Sequence, residues 1–399
     1  MAEKRDKILG CKMNNASDIT AKAVVLGLGN AGTKTVKELS QLNGSSWLSI
    51  GAADTDKSSL ERCGLQNSFP VGFEWTHGAG CGGNVIKGER AFAHPSRTRI
   101  IEFITGASLM VVTGGMGGGT ATAGCSSLAR AAKKLGIPSI FIITTPFSFE
   151  EHSKRETAEA GIKMLLTDAD IVISVPNDIL YSSIAAHSSA EDAFRKSDVE
   201  IASAVLGIAE IIRCGNILSA DISDFKNILQ KRKSLCCLGL GSAERSEGEN
   251  FSHLALERLM ASPLLGGTEN IKEADAIILT LTGGPELNIA EMKHSLEAVQ
   301  RYTEKNTKLI VGANTDPLYA GRIQLTLVSI RYEFSPDAPE EFSDVADFQE
   351  QLASDQPELP LLPVSKGIFT NTSRNICLKI STYLLMGFPN RQPLAEPFR

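Results

Sequence analysis

Thr113-Gly-Gly-Met-Gly-Gly-Gly-Thr-Ala-Thr-Ala-Gly124 places five glycines in the six positions from Gly114 to Gly119. Lacking Cβ atoms, such a run lets backbone N–H groups close on an anion, and a helix beginning there adds the positive end of its dipole. The chemistry this suits is the cradling of a phosphate chain, since a bare strand-to-helix turn needs far fewer glycines. Two more clusters occur, Gly27-Leu-Gly-Asn-Ala-Gly32 and Thr76-His-Gly-Ala-Gly-Cys-Gly-Gly-Asn84. Carboxylates stand in pairs at Asp54 and Asp56 and at Asp221 and Asp224. The second pair reads equally as a reactive pair or as the N-cap and acidic first turn of a helix starting near Phe225.

The glycine clusters fall between predicted strands and helices. Apolar Ser108-Leu-Met-Val-Val112 enters the central loop, and Cys125 to Leu135 leaves it with helical composition. Ala23-Val-Val-Leu26 precedes Gly27 to Gly32, which opens a helix through Val36 and Leu39. Trp47 to Ile50, Ser139 to Ile143 and Ile171 to Val175 are further short apolar strands, alternating with helical segments. That order predicts an α/β fold, a doubly wound, mostly parallel sheet with the chemistry at the carboxyl ends of its strands. Ser189 to Arg213 carries Phe194, Ile201, Val205, Ile208 and Ile212 at threes and fours, the pattern of a long central helix. Strands at Ser234 to Leu238, Ala276 to Leu281, Lys308 to Val311 and Gln324 to Val328, with helices between them, predict a second, smaller α/β domain.

Taken alone, Gly27, Gly29 and Gly32 after a strand, with an acidic residue about twenty positions on, fit an NAD-dependent oxidoreductase. The P-loop pattern fails because Thr33 separates Gly32 from Lys34. Three glycine loops at one sheet edge exceed the single turn of a dehydrogenase. One nucleotide with a longer phosphate chain accounts for them.

Composition narrows the classes further. A chain of 399 residues with 42% hydrophobic content supports two compact domains, and a net charge of −6 without a strongly basic segment argues against nucleic acid as a partner. Residues 1–20 are polar with no apolar signal core, and no stretch is long and apolar enough for membrane insertion, so a cytoplasmic protein is expected. The eight cysteines are scattered; the adjacent pair, Cys236 and Cys237, points to opposite faces of its strand. The expected divisions are a tail (1–20), a nucleotide domain (21–188), the central helix (189–218), an α/β domain with the acidic loop (219–330), an acidic, Pro-rich linker (331–365) and a tail (366–399).

The glycine clusters, together with Asp54-Thr-Asp56, Pro146-Phe-Ser-Phe-Glu150, Pro176-Asn-Asp178, Asp192-Ala-Phe194 and Asp221-x-x-Asp224, resemble in order and spacing the tubulin/FtsZ family. The FtsZ branch is the nearer one, through Pro-Phe-x-Phe-Glu, and the resemblance covers roughly Ala21 to Ile330. It implies a GTPase that polymerises head to tail into filaments for bacterial cell division, located at the division site. It implies that Gly29, Asn30, Ala31, Gly32, Thr33 and Lys34 line the phosphates of GTP or GDP, with Gly117, Gly118, Gly119, Thr120, Ala121, Thr122 and Ala123 opposite. Gly80, Cys81 and Gly82 would lie near the γ-phosphate. Glu150 and Lys154 would bind ribose or phosphate, Asn177 and Asp198 the base, and Phe194 would stack on it. Asp56 would hold Mg²⁺ through water. Asp221 and Asp224 would be catalytic, orienting water on the nucleotide of the next subunit, so that assembly switches hydrolysis on.

Several positions depart from the family pattern. Ala121 and Ala123 replace glycines of the central loop, and we expect them inside the first helical turn, where Ala gains about 1 kcal/mol over Gly. Thr33-Lys34 replaces Gly-Asn, Lys34 being either a cation beside the phosphates or a solvated helix lysine. Asp54 and Ser219 stand for asparagines, and Lys154 for an arginine with its bidentate fork. In the tail, Ser381 and Leu385-Met386 stand for the proline and basic pair that dock membrane-tethering division proteins, leaving docking and a disordered tail both open. A filament-forming paralogue with weak or no hydrolysis is the alternative function.

Overall fold

A computed structural model describes residues 22–42, 47–93, 95–182, 189–213, 227–228 and 234–332. Asp221, Asp224, Ser219 and nearly all of the expected linker and tail lie outside the described residues, which extend into the linker only as far as Tyr332.

Ten strands form one sheet: β1 Ala23–Leu28, β2 Leu48–Asp54, β3 Ser68–Pro70, β4 Leu109–Gly115, β5 Ser139–Thr145, β6 Ile171–Pro176, β7 Ser234–Glu244, β8 Ala276–Gly283, β9 Lys308–Thr315 and β10 Arg322–Tyr332. Their spatial order is β3-β2-β1-β4-β5-β6-β7-β10-β8-β9. The first six are parallel. β7 joins β6 in parallel through Val172↔Leu235 and Ile173↔Cys236, then pairs antiparallel with β10, which pairs antiparallel with β8. The second set of strands therefore continues the first sheet. β3, three residues long, is too short to show a period in the sequence.

β1 is buried along its whole length, as a central parallel strand covered on both faces must be. Its side chains divide by the two-residue period: Ala23 and Val25 join one core, Val24, Leu26 and Leu28 the other. Cys236 and Cys237 likewise pack against different clusters. α1, Gly29–Leu42, follows β1 without an intervening loop and contributes Val36 and Leu39 to the first core. A Cβ at Gly32 would lie 2.4 Å from the Thr113 carbonyl oxygen, so this glycine sets how closely α1 approaches β4. α2 spans Lys57–Cys63, α3 Phe73–Thr76, α4 Val85–Ala91 and α5 Thr98–Ile104. α6, Gly119–Lys134, covers the other face with Leu128, Ala129 and Ala132. α7 spans His152–Leu165 and α8 Asn177–Ser182.

The central helix is α9, Ala190–Ala209, capped by the Ser189 hydroxyl, which accepts from the Asp192 amide at 3.1 Å. A 3₁₀ turn, Glu210–Ile212, extends it. Ile201, Ala202, Val205, Ile208 and Ala209 are buried, and a Cβ at Gly207 would sit 2.1 Å from the Thr326 hydroxyl, so α9 and β10 touch backbone to side chain. No helix among the described residues is long and apolar enough to cross a membrane.

Candidate functional site

The strand order reverses between β1 and β4, the neighbours from which the sheet grows in opposite directions. At such a switch point the loops leaving the two strands diverge and open a crevice at their carboxyl ends. A cleft of about 330 Å³ lies there, within the range of small-ligand sites.

Its walls come from the segments that follow β1, β2, β4, β5 and β6 and from the third glycine cluster. Gly29, Asn30 and Ala31 begin α1; Gly118, Gly119, Thr120 and Ala121 begin α6; Gly80, Cys81 and Gly82 come from the third glycine cluster; Glu150, Lys154 and Asn177 follow β5 and β6. Two helix starts thus point at one space. α6 has a glycine, Gly118, at its N-cap and no side-chain cap, so its first-turn amides are available to an anion. Positive φ at Gly29 (+67°), Gly80 (+81°), Gly82 (+55°) and Gly117 (+93°) accounts for glycine at these turns.

The loops are tied to one another beneath the cleft. The Thr55 and Thr120 hydroxyls lie 2.6 Å apart, and the Cys81 thiol reaches the Thr55 hydroxyl at 3.4 Å. Ala121 and Ala123 lie inside helix α6, and His77 is the one residue other than glycine with positive φ among the described residues. Room for the methyls comes from glycines opposite, Gly29 and Gly114 for Ala121 and Gly88 for Ala123.

Carboxylates line one end. Asp54, 2% exposed, accepts at Oδ1 from the amides of Thr55 (2.7 Å) and Asp56 (3.2 Å), while its buried Oδ2 has no hydrogen-bond partner. Burial, with a smaller push from Asp56, raises its pKa above the ordinary value against the opposing influence of the nearby Ser59 hydroxyl and of these amides. Asp56 caps α2 through the Ser58 amide at 2.9 Å and also lines the cleft. At the other end Lys154 is ion-paired with Glu150, whose second oxygen accepts from the Phe147 amide at 2.9 Å. Burial pulls Glu150 upward, but Lys154 and that amide outweigh it and leave the carboxyl below its usual value.

Other expected residues stand back from the walls. Gly32 serves the α1–β4 contact, and the Thr33 hydroxyl is satisfied by the Asn30 carbonyl and Ser59, both at 2.9 Å. The Gly117 amide donates to the Thr122 hydroxyl at 3.0 Å, bracing the loop from within. Lys34 is exposed, and its charge acts on Asp198. Asp198 accepts from the Thr35 hydroxyl at 3.3 Å; burial pushes its pKa up to about 6, with Lys34 and Thr35 opposing and Glu38 adding. Phe194, 48% exposed, meets Tyr181 edge-on at 5.1 Å within a group that includes Phe147 and Phe149. Sequence reasoning did not assign Asp54, Gly83, Thr144 or Thr145 to the site, though all four line it. Strand ends could have marked three of them, because Asp54 closes β2 and the two threonines close β5.

The family model for the Tubulin/FtsZ family, GTPase domain, matches residues 22–185, and that for the FtsZ family, C-terminal domain, matches residues 235–331. The cell division protein FtsZ of Pseudomonas putida is 30% identical over 307 residues, 76% of this chain and 75% of that protein. Its counterpart in Coxiella burnetii is 29% identical over 317 residues, 79% and 80% of the two chains. Among solved structures, an empty FtsZ dimer from M. jannaschii superposes with a TM-score of 0.70 at 26% identity, covering 78% of this chain and 88% of that one. GDP-bound CetZ1 from Haloferax volcanii, at 19% identity, a TM-score of 0.63 and coverage of 84% and 98%, shares the fold.

Proposed function

This chain belongs to the tubulin/FtsZ family, and from that premise we propose that it binds GTP and GDP in the β1–β4 cleft and hydrolyses GTP in the service of cell division. The single observation that carries the reading is the convergence of three glycine loops and two helix starts on one crevice. Such a crevice offers many backbone donors to a polyphosphate and few to a neutral ligand. An NAD reading uses Gly27 to Gly32 and leaves the loops around Gly80 and Gly118 without a task.

The triphosphate lies across the amides at the starts of α1 and α6, with Gly80 to Gly82 closing over its end. Lys154 and Glu150 meet ribose or phosphate beside β5. Asn177 and Asp198 read the base. An ionised Asp198 accepts both the ring N–H and the exocyclic amine of guanine, a pair of donors adenine lacks. The Phe194 face supplies the apolar contact. Mg²⁺, a hard cation that keeps several waters and binds few carboxylates alongside phosphate, suits the oxygens of Asp56 and the unpartnered Oδ2 of Asp54. It would neutralise phosphate charge there.

Asp221 and Asp224 orient the attacking water from the next subunit of a head-to-tail filament, an open assembly because its contact is heterologous. The protein works in the cytoplasm at the division site, and its tail offers a docking peptide to membrane-tethering partners. Phosphate release measured against protein concentration tests the whole reading. A sharp rise above a critical concentration is expected, and Asp221→Ala should leave long-lived filaments. Filaments with flat release would favour the weakly hydrolysing paralogue, which the Lys154 and Ala121 departures make the second reading.

A further inference from the structure

The end of the central helix carries a buried charge cluster that nucleotide binding does not use. Glu210 is 4% exposed and Asp316 7%. Arg213 Nη1 donates to Glu210 Oε1 at 3.0 Å and Oε2 at 3.3 Å, and to Asp316 Oδ2 at 3.1 Å. Asn314 on β9 donates its amide to the same Glu210 carboxylate. The guanidinium also lies 5.5 Å from the ring of Trp47, the residue before β2. Two carboxylates buried around one guanidinium are weak grounds for stability, because desolvation offsets much of the attraction. The location suggests another purpose. At Arg213 the backbone turns out of the 3₁₀ turn into an extended conformation (φ −63°, ψ 126°), and Asp221 follows 221 − 213 = 8 residues later.

We propose that Glu210, Arg213 and Asp316 form a positioning clamp for hydrolysis, fixing where the chain leaves the central helix and thus where the stretch bearing Asp221 and Asp224 begins. The inference rests on the head-to-tail reading above. These are positioning residues, since none of them lines the nucleotide cleft. The three described side-chain hydrogen bonds of Arg213 all leave from one nitrogen. A lysine ammonium, with three donors on one atom, can therefore stand in.

The test uses the full-length protein. Asp316→Asn and Arg213→Met are expected to leave GDP affinity within about twofold while lowering GTP turnover per assembled subunit about tenfold or more, as displaced catalytic groups do. Arg213→Lys is expected to keep most of the turnover, and it and Asp316→Asn carry the test if Arg213→Met fails to fold.

A pH profile at saturating GTP separates positioning from bulk stability. Glu210 is faced by Arg213 from its own helix end, by Asn314 on β9 and by Asp316 beyond it, with Tyr319 and Arg322 behind. Arg213 and Asn314 both donate to it, so the clamp holds the ionised form. Burial pushes Glu210 up to about 7, against the pull of Arg213 and Asn314. Wild-type turnover should fall as pH drops through that value. Arg213→Met should move the fall to higher pH, and Glu210→Gln should remove it. Unchanged turnover in Asp316→Asn, equal losses in Arg213→Lys and Arg213→Met, or an acid limb that Arg213→Met does not move would overturn the clamp. A wild-type protein without concentration-dependent turnover would overturn the head-to-tail reading first, and the clamp with it.

Discussion

Lowering the pH should weaken guanine nucleotide binding through Asp198. Its carboxyl titrates at about 6 in the free protein, raised by burial against Lys34 and Thr35. Guanine needs the ionised form, because a protonated acid cannot accept both N–H donors. With a pKa of about 6, the ionised fraction is about 0.9 at pH 7 and about 0.1 at pH 5. Apparent affinity scales with the competent fraction, so it should fall about tenfold between those values. Isothermal titration with GDP from pH 5 to 8 measures this, and the same series on Asp198→Asn subtracts the titration of the phosphates. Lys34→Gln removes a cation that favours the ionised form, and should shift the fall to higher pH. Parallel profiles for wild type and Asp198→Asn would refute the reasoning and remove Asp198 from the base site.

Three further outcomes are expected. Gly119→Ala would bring a Cβ to 2.5 Å from the Asn84 carbonyl oxygen and from the Cys81 Cβ; GDP affinity should fall at least about tenfold and urea unfolding should show a loss of about 1–3 kcal/mol. Ala121→Gly and Ala123→Gly should each lower stability by about 1 kcal/mol, since both lie inside α6, while GDP affinity stays within about twofold, read by thermal melts and titration. Glu210 has a folded pKa raised from 4.5 to about 7, so its contribution to stability is present below 4.5 and is lost as pH rises through about 7. Melting curves of Glu210→Gln should therefore gain on wild type between pH 5 and pH 8.

Much of the site was legible because its chemistry is local. Glycines directly after apolar strands announce loops at strand ends, and the parallel order puts those ends on one edge. The central helix was visible from its Ile201, Val205, Ile208 spacing. Contacts between distant segments were not legible. Nothing in the residues around Arg213 points to Asp316, 103 positions away. Asp198 and Phe194 stand on α9 rather than on the cleft wall, because the pairing of α9 with α1 is set by tertiary packing. Thr33 and Gly117 look like ligand contacts in a motif, yet their polar groups are used to brace the loops. The second α/β unit was read from its strands, but its continuity with the first sheet depends on β10 entering between β7 and β8, which no local pattern encodes.

That insertion has a consequence for biosynthesis. β7 and β8 do not neighbour each other; β7 is joined to β6, whereas β8 and β9 meet the rest of the sheet only through β10, the last described strand in the chain. A nascent chain that has emerged as far as residue 320 can pair β8 with β9 but has no bridge from that ribbon to β7. Closure of the sheet among the described residues must await β10, and a stop codon shortly before Arg322 would leave two unjoined sheet fragments with bare hydrogen-bonding edges, a species prone to aggregate.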